Sequence, residues 1–305
     1  MAAGGVVLVM AAVVLWRSAY DVPAASALRF EPGAMQSYGL TLVTDVRMQV
    51  GGDEATSFRQ DVSGTLHLRV FDATAEGVEL GFQLDPVRYE VARQRDPGIE
   101  ARLALPFFAR FSPTGEPQAF HLPIGIEPAE AMLLEEIVRT FQVTVADGDA
   151  SSWTAEESHA TGRYRAEYER GAGEAILKRK AGYTELAEGF GLPGRTPRVE
   201  IEESKGELRL HPRAWLLDAT VAESLHVDTE GLESWTRMQG RLELSSTGAD
   251  DDVALFVGAD ANAVRMAAVS ALQEAQAAAS ETATRMPHAP ADQVQIGRAS
   301  CRERV

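Results

Sequence analysis

The chain has 305 residues, with 29 lysines and arginines against 45 aspartates and glutamates, a net charge of −16. Hydrophobic residues make up 45% and charged residues 24%, which is ordinary globular usage and excludes wholesale disorder, a collagen-like repeat and a polytopic membrane protein. So acidic a chain repels phosphate backbones, which argues against a nucleic-acid partner, and a single cysteine, Cys301, leaves no intrachain disulfide.

Residues 2–16 are apolar, and Arg17 ends the run. The run is short for a membrane span, which needs about 20 residues, and suits the apolar core of a secretory signal. Ala25-Ser26-Ala27 offers a small-x-small cleavage site. Arg17 and Arg29 follow the run, whereas the usual order of an export signal puts positive charge before it. Residues 1–27 are expected to be a cleaved signal peptide or an N-terminal membrane anchor, the alternative being a buried structural segment. Either export form places the chain outside the cytoplasm, periplasmic or secreted, and the uncleaved form would contact the membrane.

From Met35 the period is two. Leu40, Leu42, Val46, Met48 and Val50 predict a first strand, and Gly51-Gly52-Asp53 a hairpin turn. Val62, Leu66, Leu68 and Val70 lead a second strand. Val78, Leu80, Phe82 and Leu84 form a third, which stops at Asp85-Pro86 and resumes through Val87, Tyr89 and Val91. Leu103, Leu105, Phe107 and Phe108 begin a fourth. Residues 112–117 read as a turn, followed by Ala119, Phe120 and Leu122.

Residues 128–142 switch to a helical period. Pro128 suits a helix start, and Leu133, Leu134, Ile137, Val138 and Phe141 share one wide arc opposite Glu135, Glu136 and Arg139. The narrow polar face predicts a helix packed against or inside a sheet. Strands then resume at 153–157 and, after a turn at His159–Gly162, at Tyr164, Ala166 and Tyr168. A turn at 171–173 precedes a strand over 175–184. Residues 189–197 read as a loop. Val199 and Ile201 are expected to pair with Leu208 and Leu210 across a turn at Ser204-Lys205-Gly206, and strands over 215–227 and 235–244 follow. The alanine-rich stretch 253–286 predicts one or two helices, the start of a helical region.

The motifs with a chemical look read as structural. Gly51-Gly52-Asp53-Glu54 lacks the continuation of a cyclase signature. Gly189-Phe-Gly191-Leu-Pro-Gly194 is interrupted by Pro193 where a dinucleotide loop needs a helix start. His67, His121, His159, His211, His226 and His288 show no paired-ligand spacing, and no G-x-S-x-G elbow is present. Asp250, Asp251, Asp252 and Asp260 do not form a D-x-D-x-D-G calcium loop. Lys178-Arg179-Lys180 is a basic run that either touches anionic lipid heads or, more simply, faces water. No catalytic residue, metal site or cofactor is therefore expected.

Four stretches carry a family resemblance. They are Phe30-Glu31-Pro32-Gly33 with Tyr38; Phe107 to Phe111 with Pro113, Gly115 and Glu116; residues 128–143 with Leu133, Ile137, Phe141 and Gln142; and Trp153, Glu156, Glu157, Gly162, Tyr164 and Tyr168. In this order they resemble the N-terminal domain of vitellogenin-type large lipid-transfer proteins, in a bacterial-like relative. The resemblance covers about residues 29–245. It implies a mainly β domain, an antiparallel barrel or sandwich over residues 28–247 wrapped around one helix, followed by helices. It also implies a non-enzymatic exported lipid-binding or lipid-transfer role. A second reading, from the same order of elements, is an extracytoplasmic protein-interaction scaffold that precedes helical repeats. The partner is lipid in the first case and another protein, through the sheet or C-terminal helices, in the second. Phe107, Phe108, Leu133, Leu134, Ile137, Val138 and Phe141 are candidates for core or for apolar ligand contact. Residues 296–305 separately resemble a translated sequencing adapter, so Cys301 is expected to be foreign and the natural chain to continue past Gln295.

Overall fold

The computed structural model describes residues 28–248 apart from 147, 149, 188–196 and 230. The N-terminal segment, the loop carrying Gly189 and Gly194, the aspartate cluster, the alanine-rich stretch, His288 and the adapter-like end lie outside the described residues.

Twelve strands form one antiparallel sheet. They are β1 (Met35–Val50), β2 (Thr56–Thr74), β3 (Gly77–Val91), β4 (Gln94–Arg95), β5 (Phe107–Phe111), β6 (Pro117–His121), β7 (Ser152–His159), β8 (Gly162–Arg170), β9 (Ile176–Leu186), β10 (Arg198–Leu210), β11 (Leu216–Thr229) and β12 (Leu232–Gly248). The order is β6-β5-β3-β2-β1-β12-β11-β10-β9-β8-β7, with β4 hanging on β3. Two meanders thus fan out from a central pair. In that pair the first strand meets the last, from Met35 opposite Gly248 to Val50 opposite Leu232. The expected mainly β, antiparallel fold is present, and of the expected barrel or sandwich the barrel is not formed, because the sheet does not close.

Consecutive strands β6 and β7 are its two edges, and helix α2 (Pro128–Thr140) lies in the connection between them. One side chain shows how far the sheet curls. The Arg139 guanidinium sits 4.9 Å from the Phe120 ring on β6 and donates through Nη1 to the Ser158 carbonyl on β7 at 3.3 Å. Gln142 Nε2 donates to the same carbonyl at 3.1 Å. The end of α2 therefore fills the space between the two edges, where unpaired backbone groups need cover.

Two local readings change. A short helix, α1 (Pro97–Leu103), stands where the sequence predicts the start of a strand. Asp96 caps it, its Oδ1 accepting from the backbone N–H of Gly98 and Ile99 at 2.9 and 3.0 Å, with Pro97 in the first turn. Arg102 in the last turn of α1 donates to both Glu130 oxygens (2.5–3.0 Å), and Glu130 also accepts from the Glu127 backbone, so one carboxylate joins the end of α1 to the start of α2. The second change is in β10, which runs unbroken through Ser204-Lys205-Gly206. Gly206 serves close approach there, because a Cβ on it would stand 3.2 Å from Lys178 Cβ on β9.

The inward residues of the sheet and the apolar arc of α2 make one continuous core. Its aromatic end joins Tyr38, Phe82, Phe107, Phe111 and Trp215, with Phe82 and Phe107 stacked at 5.3 Å and Phe82 edge-on to Trp215 at 5.7 Å. The buried Tyr38 hydroxyl donates to the Leu216 carbonyl at 2.8 Å. Nearby, His211 is buried in the turn before β11, its Nδ1 accepting from the Arg213 backbone at 3.2 Å. Burial and then the Arg213 charge push its pKa down to about 4.

Two outcomes follow. Gly64 faces Pro86 O at 2.1 Å and Val87 Cα at 3.0 Å from a built Cβ, both backbone atoms, whereas Gly182 has open space. Gly64→Ala is expected to cost about 1–3 kcal/mol and lower Tm by several degrees. Gly182→Ala, measured in the same thermal scan, leaves Tm close to wild type, and equal Tm values for the two variants would refute a tight crossing at Gly64. The folded chain holds His211 neutral while an unfolded histidine, at 6.5, takes up a proton. Stability should therefore fall as pH drops from about 6.5 towards 4. His211→Asn, which keeps an acceptor for the Arg213 amide, should flatten that part of a urea-unfolding pH series.

Candidate functional site

Beyond the aromatic end, the interior changes character. Alternation along β9 carries two cations inward. Ile176, Lys178 and Lys180 face the interior, while Leu177 and Arg179 face out. The basic run is thus not a surface patch: only Arg179 is outside, paired with Glu167.

Lys178 Nζ lies 2.6 Å from Glu157 Oε2 on β7 and donates to the Gln142 carbonyl at 2.9 Å. Glu157 is fully buried and uses all its acceptor capacity. It takes the Tyr164 hydroxyl at 2.7 Å, the Thr144 hydroxyl at 2.9 Å and the Tyr168 hydroxyl besides. The Thr144 carbonyl accepts from Trp153 Nε1 at 2.6 Å. The segment that leaves α2 is therefore pinned to β7, β8 and β9 by one carboxylate and its donors. Burial pushes the Glu157 carboxyl up, but Lys178, Tyr168 and Tyr164 together hold it below the usual range. Burial also lowers Lys178, and burial together with the Glu157 charge raises Tyr164 and Tyr168 well above the usual phenol.

Two further contacts continue the network. Lys180 Nζ lies 2.6 Å from Glu223 on β11, and His159 Nε2 lies 2.6 Å from Glu136 on α2. Between these groups is a void of about 20 Å³, bordered by Lys180, His159, Tyr164 and Glu223, room for roughly one water and no substrate. The arrangement suits charge compensation. Each of the three acids lies 2.6 Å from a lysine or histidine nitrogen. Among the described residues, no three His, Cys, Asp or Glu side chains converge as a metal site, and no helix is long and apolar enough to cross a membrane.

Three members of the polar network, Glu136, His159 and Glu223, also line an apolar groove of about 500 Å³, within the range of small-molecule sites. Leu42, Thr44 and Met48 of β1, the inward residues of β11 and β12, and Ala129, Met132, Leu133 and Glu136 of α2 line it. Its rim carries exposed Met48 and Met132, at 37% and 59%. Two-residue alternation on three adjacent strands aims these side chains inward, and the helical period of α2 brings its own to the same space.

The structure separates the apolar candidates. Phe107, Phe108, Leu134, Ile137, Val138 and Phe141 are fully buried and line no part of the groove. Phe107 joins the aromatic end, and Phe108, its neighbour on β5, packs edge-on against Phe71 at 5.2 Å. Leu133 alone of the seven reaches the groove. Sequence reading missed the inward pair Lys178 and Lys180 and their partners Glu157 and Glu223. The signal was available in the two-residue period that puts both lysines on the face of Ile176.

The network gives a direct expectation. Lys178→Met leaves Glu157 buried without its cation and should cost about 3–5 kcal/mol. Lys178→Met/Glu157→Gln removes both charges and should recover much of that loss. Glu157 stabilises the fold above the ordinary glutamate value of 4.5, and this contribution disappears as pH falls through its lower folded value. The acid limb of unfolding should accordingly be shallower in Glu157→Gln. If the double variant is no more stable than Lys178→Met, the pair is not coupled.

No family model matches the sequence, and no curated protein matches it. Among solved structures, the chain is similar to lipovitellin, from work on lipid–protein interactions in that protein. The TM-score is 0.54 at 12% identity, covering 74% of this chain and 26% of the lipovitellin chain. A domain from Vibrio parahaemolyticus described as an outer membrane lipoprotein-sorting protein covers 74% of this chain and 92% of its own at 7% identity, but its TM-score of 0.15 carries no argument. The chain spans about a quarter of the lipovitellin chain, and the likeness at this identity is one of fold: a large, mainly antiparallel β architecture of the lipovitellin kind.

Proposed function

We propose that this chain is a non-enzymatic, exported lipid-binding or lipid-transfer domain. The observation that carries the reading is the apolar groove between α2 and the central strands. Such sites bind mainly by removing apolar surface from water, at roughly 25 cal/mol per Å². The fold likeness to lipovitellin supports the same reading, since that protein's structure concerns lipid–protein interactions. The apolar leader at 2–16 agrees with a place outside the cytoplasm, periplasmic or secreted. In this reading residues 28–247 form the binding domain. The paired acids and lysines beneath the groove act as structural supports.

The test uses the full chain, produced with an export leader and purified without detergent. Organic extraction and mass spectrometry of the extract should find lipid at about one molecule per chain. A folded chain that carries no lipid, and gains none from vesicles of phosphatidylcholine and phosphatidylglycerol, would sink the proposal. The protein-interaction scaffold would then be the better reading.

A further inference from the structure

We infer that the groove takes a single-chain amphiphile with an uncharged head, of the monoacylglycerol class. The inference rests on the lipid-binding reading and narrows it. Three observations carry it.

The first is capacity. A groove of about 500 Å³ accommodates one acyl chain and a small head, and is too small for two chains with a glycerophosphate head. The second is the wall. Leu133, Leu225 and Val227 are apolar, and Met48 and Met132 at the rim are unbranched, polarizable side chains that adapt to a flexible chain.

The third is charge. Among the described residues, the ionisable ones lining the groove are Glu136, His159 and Glu223, and neither lysine nor arginine lines it. Lys180, the cation nearest Glu223, is itself buried and already held at 2.6 Å by that carboxylate. A carboxylate or phosphate head drawn into this groove would find two carboxylates and no free cation. An anion taken from water without a partner is strongly disfavoured. The chain's net charge of −16 opposes an anion at longer range as well. An uncharged glycerol head has no such cost. Its hydroxyls can donate to the carboxylates and accept from Thr44 or Thr161, which also line the groove.

The experiment is isothermal titration of the delipidated full chain at about pH 7.5 with two probes below their micellar concentrations, glycerol monolaurate and laurate. The expected result is one-to-one binding of the monoacylglycerol and binding of laurate weaker by about tenfold or more. Met48→Gln/Met132→Gln, two exposed positions whose replacement leaves the core intact, should weaken the monoacylglycerol about tenfold while the far-ultraviolet circular dichroism is unchanged. Equal affinity for the two probes overturns the uncharged-head inference. Undiminished binding by the double variant overturns the groove as the site. If extraction of the purified chain finds lipid but neither probe binds, this inference falls and the lipid-binding reading stands. If extraction also finds none, both fall.

Discussion

An antiparallel sheet that curls without closing leaves two rows of unpaired backbone groups, and this is the constraint that the structure is arranged around. Here the two edge strands are consecutive in sequence, so the segment joining them is available to cover both. The end of α2 does so: Arg139 lies over Phe120 on one edge and reaches Ser158 on the other, where Gln142 joins it. The helix is therefore a structural requirement of an unclosed sheet. Its apolar arc serves the core, its C-terminal end serves the seam, and its first turns are left to form one wall of a groove.

The interior is divided by chemistry. At one end aromatic rings interlock around Trp215. In the middle, Glu157, Lys178, Lys180 and Glu223 are withdrawn from water. Buried charges of this kind add little net stability compared with apolar packing, because desolvation offsets their attraction. Their geometry, however, is tied to one strand register. Glu157 collects donors from β8, from β9 and from the segment after α2, so a one-residue slip of β9 would put Leu177, which has no side-chain donor, or the bulkier Arg179 guanidinium in the place of the Lys178 ammonium. Part of the same network, Glu136, His159 and Glu223, lines the groove, so a mainly apolar site carries two carboxylates.

Much of the architecture could be read from the sequence, because most strands bury one face and so keep a period of two. The helix at 128–140 was equally legible from its arc of Leu134, Ile137 and Val138. The failures have physical causes. Leu103, Leu105 and Phe107 continue an alternating pattern across the end of α1, which concealed a two-turn helix despite the Asp96-Pro97 start signal. Ser204-Lys205-Gly206 has the composition of a turn, but Gly206 is needed where β9 and β10 come close. Openness of the sheet is a property of its total curvature, which no local pattern encodes. The groove was legible only through Leu133. Its other walls come from β1, β11 and β12, and the partners of Lys178 and Lys180 lie on strands far away in sequence.

The junction of β9 with β10 has a mechanical consequence. These strands share a ladder of only three residue pairs, Ile176 with Leu208, Leu177 with Glu207 and Lys178 with Gly206, extended by the Lys180 amide to the Ser204 hydroxyl. The ladder between β1 and β12 runs the full length of β1. The sheet is thus two stiff leaves, β6 to β10 and β9 to β7, joined along a short crease. Shear or bending applied to the domain concentrates at that crease, where only three residue pairs resist it, and the buried Lys180–Glu223 contact acts as a rivet across it.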